Sequence, residues 1–326
     1  MKKTGMLMHK FFLGIDTSAY TTSCAAVDSE GQLITSCRQL FPVEIGQRGL
    51  RQSEAVFAHI RQLPFVFEDL LSKIAAHSVA AICVSDRPVD GKDSYMPVFQ
   101  VGTAFAKTLS LVLKVPLYTT THQRGHLAAA LIGNIDLQPP YTFIHLSGGT
   151  TDFIAIDNDD SFKPFAYARD LHVGQLIDRV GVALSLPFPS GRHLETLAAG
   201  YEAIGRYPAI LQEGNCCFSG VEAQAMRDIK QGELNKGQIA KEIYDVIVRM
   251  VLKVLNNHVL PSQNILITGG VASSKLLRNM LLSRSNARRL PYQFYFGQAS
   301  LSGDNAAGVA YIGFKKWEET NYGNFD

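Results

Sequence analysis

Phe11-Phe12-Leu13-Gly14-Ile15-Asp16-Thr17-Ser18 is an apolar run that stops at three small polar residues. Tyr141-Thr142-Phe143-Ile144-His145-Leu146-Ser147-Gly148-Gly149-Thr150-Thr151 repeats the pattern far along the chain. Each run goes on into a second apolar stretch, as far as Asp28 and Asp157, so each predicts strand, tight turn, strand. Turns crowded with Gly, Ser and Thr expose backbone N–H groups and hydroxyls that can hold phosphate oxygens. One such turn alone would be weak evidence.

Between and after these hairpins the chain alternates. Leu33 to Cys37 continues the first meander. Ser53 to Ala76 has helical spacing at Val56, Ile60, Leu63, Val66 and Leu70, with Pro64 expected to interrupt it. Ala80 to Ser85 and Val115 to Tyr118 read as short strands, and Val101 to Leu113 and Thr121 to Ile132 as helices. Further helices are predicted at Gly174 to Leu184, His193 to Ala199 and Lys236 to Val259. Ile265 to Thr268 reads as a strand ending in Gly269-Gly270, before a helix from Ser273 to Leu282. Strands alternating with helices predict an α/β architecture.

A length of 326 residues favours two lobes over one core, and Gly133 to Pro140, rich in Gly, Asn, Asp and Pro, is the best boundary. The expected domains are an N-terminal lobe over 11–133, with a C-terminal helix over 304–320 packing near it, and a C-terminal lobe over 140–303. A ligand cleft between two lobes is the usual place for a site. With 46% hydrophobic and 18% charged residues the chain is expected to fold throughout. A net charge of +2 gives no general pull toward polyanions, so any nucleic-acid contact has to come from a local patch. Five cysteines without a CxxC pair fit a reducing cytoplasm rather than a disulfide framework. The N-terminal residues lead into a strand without a signal-peptide cleavage site, and no apolar stretch reaches the roughly 18 residues of a membrane span.

The sharpest local feature is His122-Gln123-Arg124-Gly125-His126. On a helix this spacing sets two imidazoles on one face, able to share a metal ion, although two partly exposed helix histidines read the same way. Gln123 stands where an HExxH metalloprotease needs its glutamate, which removes the peptidase reading. Asp304, in Ser302-Gly303-Asp304-Asn305, is either a helix N-cap or the carboxylate of a two-histidine, one-carboxylate site suited to Fe(II) or Zn(II). Arg278, Arg284, Arg288 and Arg289 cluster near one helix, as a solvated face or as an RNA-backbone contact.

In chain order, GIDTS (14–18), HQRGH (122–126), LSGGTTD (146–152), IDRVG (177–181), CFSG (217–220), TGGVASSKLLR (268–278) and SGDNAA (302–307) resemble the TsaD family of tRNA threonylcarbamoyladenosine transferases. The resemblance covers about residues 11–315, and the motifs are specific only in combination. It implies an actin-like ATPase superfold of two related lobes, each a mixed sheet flanked by helices. It also implies one divalent metal, Fe or Zn, and an adenine nucleotide or threonylcarbamoyl-AMP as ligand. The implied reaction moves the threonylcarbamoyl group to the amino nitrogen of the tRNA adenosine beside the anticodon, releasing AMP. The implied partners are tRNA, a shortened paralogue of the same fold and a P-loop ATPase, with no membrane involved.

By that resemblance His122, His126 and Asp304 match the metal ligands, and His145 falls where some relatives carry a metal-contacting tyrosine. His145, Leu146, Ser147, Gly148 and Gly149 match the phosphate-side loop. Asp178 matches the ribose contact, Gly191 the glycine beneath the nucleotide, and Gly269 and Gly270 a second glycine turn. Ser274 replaces an asparagine that contacts adenosine. No catalytic residue is assigned, and Asp16, Thr17 and Ser18 line the first turn. The chain departs from the family where a Cys-Asp-Asp/Glu-Thr stretch becomes Ala19-Tyr20-Thr21-Thr22 and a glycine-rich loop becomes Ser85-Asp86-Arg87-Pro88. Lost acidic groups remove a candidate proton acceptor. A transferase and an altered paralogue that binds nucleotide and metal as a regulatory subunit are both compatible with the sequence; a small-molecule kinase of the same superfold lacks a use for the histidine pair.

Overall fold

The computed structural model describes residues 10–18, 21–41, 51–91, 93–134, 136–232, 234–303 and 306–322. It divides into two compact units, one formed by Met1–Gly133 with Gly303–Asp326 and one by Asn134–Ser302.

The first unit opens with β1 (Phe11–Ser18), β2 (Thr21–Val27) and β3 (Leu33–Leu40), an antiparallel meander in which Ile15 faces Cys24 and Cys24 faces Cys37. Helix α1 (Gln52–Leu71) leads to β4 (Val79–Arg87), α2 (Pro97–Leu113), β5 (Leu117–Thr121) and α3 (His122–Leu131). β4 lies parallel to β1 and to β5, giving the sheet order β3-β2-β1-β4-β5. β1 is buried from Phe12 to Thr17, and apolar from Phe11 to Ile15, because the centre of a sheet covered on both faces has no wet side. α1 buries Ala55, His59, Leu63, Val66, Phe67 and Leu70 and runs unbroken through Pro64, against the expected interruption. Pro64 lies on the exposed side, as does Ile60, whose carbonyl loses its N–H partner to the proline. At roughly 1.5–3 kcal/mol for each large apolar side chain buried, this one stripe outweighs the cost of a proline inside a helix.

The second unit repeats the plan. β6 (Tyr141–Leu146), β7 (Thr151–Ile156) and β8 (Phe162–Tyr167) form the meander, followed by α4 (Val173–Ala183), α5 (Gly191–Ala198), the short strands β9 (Ile210–Gln212) and β10 (Asn215–Cys217), α6 (Ser219–Gln231) and α7 (Lys236–Asn257). β11 (Asn264–Thr268), α8 (Lys275–Ala287) and β12 (Gln293–Phe296) complete the sheet in the order β12-β11-β6-β7-β8. β11 is parallel to β6, with Thr268 beside His145. α7 is the core helix: Ile239, Ile243, Ile247, Val251 and Val254 are all buried, as the periodicity predicts. The chain then returns to the first unit with α9 (Ala306–Tyr322).

α9 lies directly on β1. A Cβ on Gly14 would stand 2.1 Å from Ala306 O and 2.3 Å from Ala310 N, so only glycine permits the approach. Ala306, Ala307, Val309, Ala310 and Phe314 are buried there, and Phe12 meets Phe314 and Trp317 at ring-centroid distances of 5.2 Å. Among the described residues no helix is long and apolar enough to cross a membrane.

Candidate functional site

Thr121 ends β5 and is also the N-cap of α3, its hydroxyl accepting the N–H of Arg124 at 3.2 Å. This direct strand-to-helix step puts His122 at the first helical position and His126 one turn on. Their rings meet edge to face, with the two Nε2 atoms 3.1 Å apart. His122 Nδ1 faces Asp16 Oδ1 at 3.1 Å, across the sheet at the end of β1. The hydroxyl of Ser85, from β4, donates to the same carboxylate oxygen. Burial alone would raise the Asp16 carboxyl. The His122 ring beside it and hydrogen bonds from His122, Ser85 and Ser18 outweigh that effect and hold it at about 2. Arg124 anchors the preceding loop through a two-pronged contact with Asp90, at 2.9 and 2.7 Å, while the Gln123 N–H donates to Pro88 O.

Asp16, Thr17 and Ser18, expected in a turn, are instead the end of β1, paired with Ser23, Thr22 and Thr21 of β2. Thr17 donates to Val98 O and accepts the N–H of Gly102, fastening β1 to the start of α2. Thr22 hydrogen-bonds His59 Nδ1 at 2.8 Å and Gln62 Oε1 at 2.9 Å. His59 is completely buried and carries no sequence signal beyond its place on the apolar face of α1. Ala19 and Tyr20 lie outside the described residues.

Two nitrogens each about 2.0–2.1 Å from one ion stand about 3 Å apart when the angle at the ion is near 90–100°. The His122 and His126 pair therefore has the donor chemistry and the spacing for a divalent cation. Among the described residues no group of three His, Cys, Asp or Glu side chains is arranged to hold a metal ion. Asp304 lies outside the described residues, and His145 belongs to the second unit.

In that unit His145 is buried on β6, its Nδ1 3.0 Å from Thr150 Oγ1. Leu146 is a core side chain. Ser147 Oγ accepts the N–H groups of Gly149 and Thr150, closing a turn over which a Cβ on Gly148 or Gly149 would meet nothing within 4 Å. α4 starts against this turn: the Gly174 N–H donates to Ser147 O, and a Cβ on Gly174 would stand 2.6 Å from Gly148 N. A helix N-terminus beside an open glycine turn suits an anionic group.

One turn along α4 from Gly174, Asp178 accepts the Ser190 N–H at 2.7 Å, and burial raises its carboxyl. Gly191 is open above Ile177, its carbonyl accepting the hydroxyl of Tyr244 from α7 at 3.0 Å. Burial drives the Tyr244 phenol upward, with the Glu195 and Asp178 charges adding to the effect. The sequence reading missed Tyr244, which looks like one more residue of a core helix. Gly269 is obligatory, with φ +107° and Leu146 O only 2.2 Å from where a Cβ would lie, whereas Gly270 has open space. Ser274, expected at the adenosine, caps α8 through the Leu277 N–H at 3.1 Å.

The arginine cluster separates. Arg278 donates to Ala272 O and Gly297 O and lies over the Phe296 ring, and Arg284 pairs with the buried Asp245. Only Arg288 and Arg289 of the four are exposed, so the patch is half what the sequence suggests.

These two sheets of matching order define an actin-like ATPase fold. Component A of the (R)-2-hydroxyglutaryl-CoA dehydratase of Acidaminococcus fermentans superposes with a TM-score of 0.58 at 17% identity, over 94% of this chain and 98% of that one. A ROK-family glucokinase from Streptomyces griseus, in complex with glucose and AMPPNP, gives 0.53 at 13% identity over 93% and 98%. Within that fold the family model for TsaD, tRNA N6-adenosine threonylcarbamoyltransferase, matches residues 45–311. A protein of that name from Sulfurihydrogenibium sp. (strain YO3AOP1) is 31% identical over 94% of this chain and 90% of its own length. The chain belongs to the TsaD family.

Proposed function

We propose that this chain transfers the threonylcarbamoyl group of threonylcarbamoyl-AMP to the exocyclic amine of the tRNA adenosine beside the anticodon. Membership of the family supports this reading. The observation that carries it in the chain's own residues is the convergence of the His122 and His126 Nε2 atoms. With Asp304 these residues would hold Fe or Zn, and His145 is a candidate further ligand. Bound there, a divalent cation would act as a Lewis acid on the donor's carbonyl.

The chain's own part is to hold and orient. The Ser147-Gly148-Gly149 turn and the N-terminus of α4 receive the phosphate of the donor, Asp178 takes the ribose, and Gly191 and Gly270 leave room for the base. The amine nitrogen attacks the carbamoyl carbon, the bond from that carbon to the phosphate oxygen breaks, and AMP departs while the amine loses a proton. tRNA, a shortened paralogue and a P-loop ATPase are the proposed partners, in the cytoplasm.

A second reading, a paralogue that binds nucleotide and metal without turnover, draws on two features. Thr21 stands in place of an acidic residue, and the Ser274 hydroxyl is used as a helix cap. One experiment separates the two. Purified protein is analysed for Fe and Zn and assayed for modified adenosine with donor, tRNA and both partner proteins. About one equivalent of metal and product formation, both lost in His122→Ala and His126→Ala, is expected. Wild-type protein without metal would overturn the metal reading. Metal and nucleotide binding without product would establish the binding subunit instead.

A further inference from the structure

The structure assigns Asp16 as a positioning residue: held by Ser85, it fixes the imidazole of His122 in the Nδ1–H form and turns the Nε2 lone pair toward His126. Asp16 Oδ1 receives the Ser85 hydroxyl and lies 3.1 Å from His122 Nδ1. A carboxylate accepts and cannot donate, so the proton in that contact belongs to the ring. With Nδ1 carrying the proton, neutral His122 has its lone pair on Nε2, 3.1 Å from His126 Nε2. Asp16 is only 1% exposed and Ser85 fully buried, on adjacent parallel strands, so the carboxylate is set by the sheet and not by a loop.

Without this carboxylate the ring is free to take the opposite tautomer, which places a proton where a cation would sit. Carboxylate-to-histidine contacts of this kind raise ligand basicity, and losing one typically lowers metal affinity 10–100-fold. The inference rests on the proposed cation site, but its central claim is a property of the metal-free protein. It also gives a use to a first-turn acid in a chain that lacks the acidic residues expected just after it.

Two measurements test it. In a long-range 1H–15N correlation spectrum of metal-free wild-type protein, His122 should show the Nδ1–H pattern; the Nε2–H pattern would overturn the assignment. Co(II) titration, followed by its visible absorption, should give Asp16→Asn an affinity 10–100-fold below wild type, while an unchanged affinity would overturn the assignment. Asp16→Glu should recover part of the loss, and circular dichroism of each variant identifies any that fails to fold. If Asp16→Asn does not fold, Ser85→Ala replaces it, with a smaller loss expected and none overturning the assignment. Wild-type protein that binds no Co(II) would sink the cation site, and the nitrogen spectrum would still decide whether Asp16 sets the tautomer.

Discussion

Gly308 of α9 sits on the carbonyl of Gly125 of α3, so closely that a Cβ on Gly308 would lie 1.9 Å from Gly125 O and 2.5 Å from Ala129 N. Gly125 stands between the two histidines in sequence, so the contact that seats α9 also sets the backbone carrying His122 and His126. Gly308→Ala forces the helices apart. It should destabilise the protein by about 2–3 kcal/mol, in the range of overpacked cores, and lower metal retention along with it. Chemical denaturation and metal analysis check this; an unchanged midpoint would mean that α9 shifts freely.

Gly174 plays the matching part in the second unit, pressed against the backbone of Ser147 and Gly148. In Gly174→Ala the turn has to move while Asp178 stays on its helix. AMP affinity measured by calorimetry is expected to fall at least tenfold, with a smaller proportional change in stability. Equal AMP binding by variant and wild type would remove this turn from the nucleotide site.

Burial lowers the pKa of His59 to about 4, with the Asp16 charge pulling the other way. In the unfolded chain it titrates near 6.5, so between these values the unfolded state binds more protons. Its contribution is therefore fully present above pH 6.5 and lost as the pH falls through 4, a change on the order of 3 kcal/mol. Unfolding midpoints from pH 7.5 to 4 should show this slope, and His59→Gln should flatten it. An equal slope in the variant would assign acid sensitivity to other groups.

Glu242 is fully buried on α7, accepting the backbone N–H groups of Ile204 and Arg206 at 2.6 and 2.7 Å and the Gln238 amide at 2.9 Å. Glu242→Ala leaves those N–H groups without acceptors, at a cost of about 2–4 kcal/mol. Amide exchange at residues 200–207 should rise well above that of the α7 core. Protection equal to wild type would show that the segment is held by other contacts.

Most of the helices and both hairpins were legible because their signals are local: apolar spacing on α1 and α7, and the small polar residues that end β1 and join β6 to β7. The same locality explains the misses. α6 has mixed polarity and no sharp apolar period, and Pro64 reads as a breaker until its exposed setting is known. At the candidate site, the one-turn spacing of His122 and His126 predicts a shared face, and their Nε2 atoms meet. Asp16 touching His122, Tyr244 touching Gly191 and Gly308 touching Gly125 join residues far apart in sequence, and no periodicity reports such pairings. Ser274 and Arg278 also have structural partners that the sequence could not show, the Leu277 N–H for the one and the Ala272 and Gly297 carbonyls for the other.

The first unit is closed by a helix that is made only after the whole of the second unit. Until α9 leaves the ribosome, the face of β1 around Gly14 has no cover and Gly125 has nothing pressed against it, whereas residues 134–302 have already been synthesised in full. A nascent chain released early would therefore present a finished second unit beside an open first one. Its exposed sheet face would be a target for chaperones and proteases, and cation uptake at the histidine pair would wait until α9 had been made.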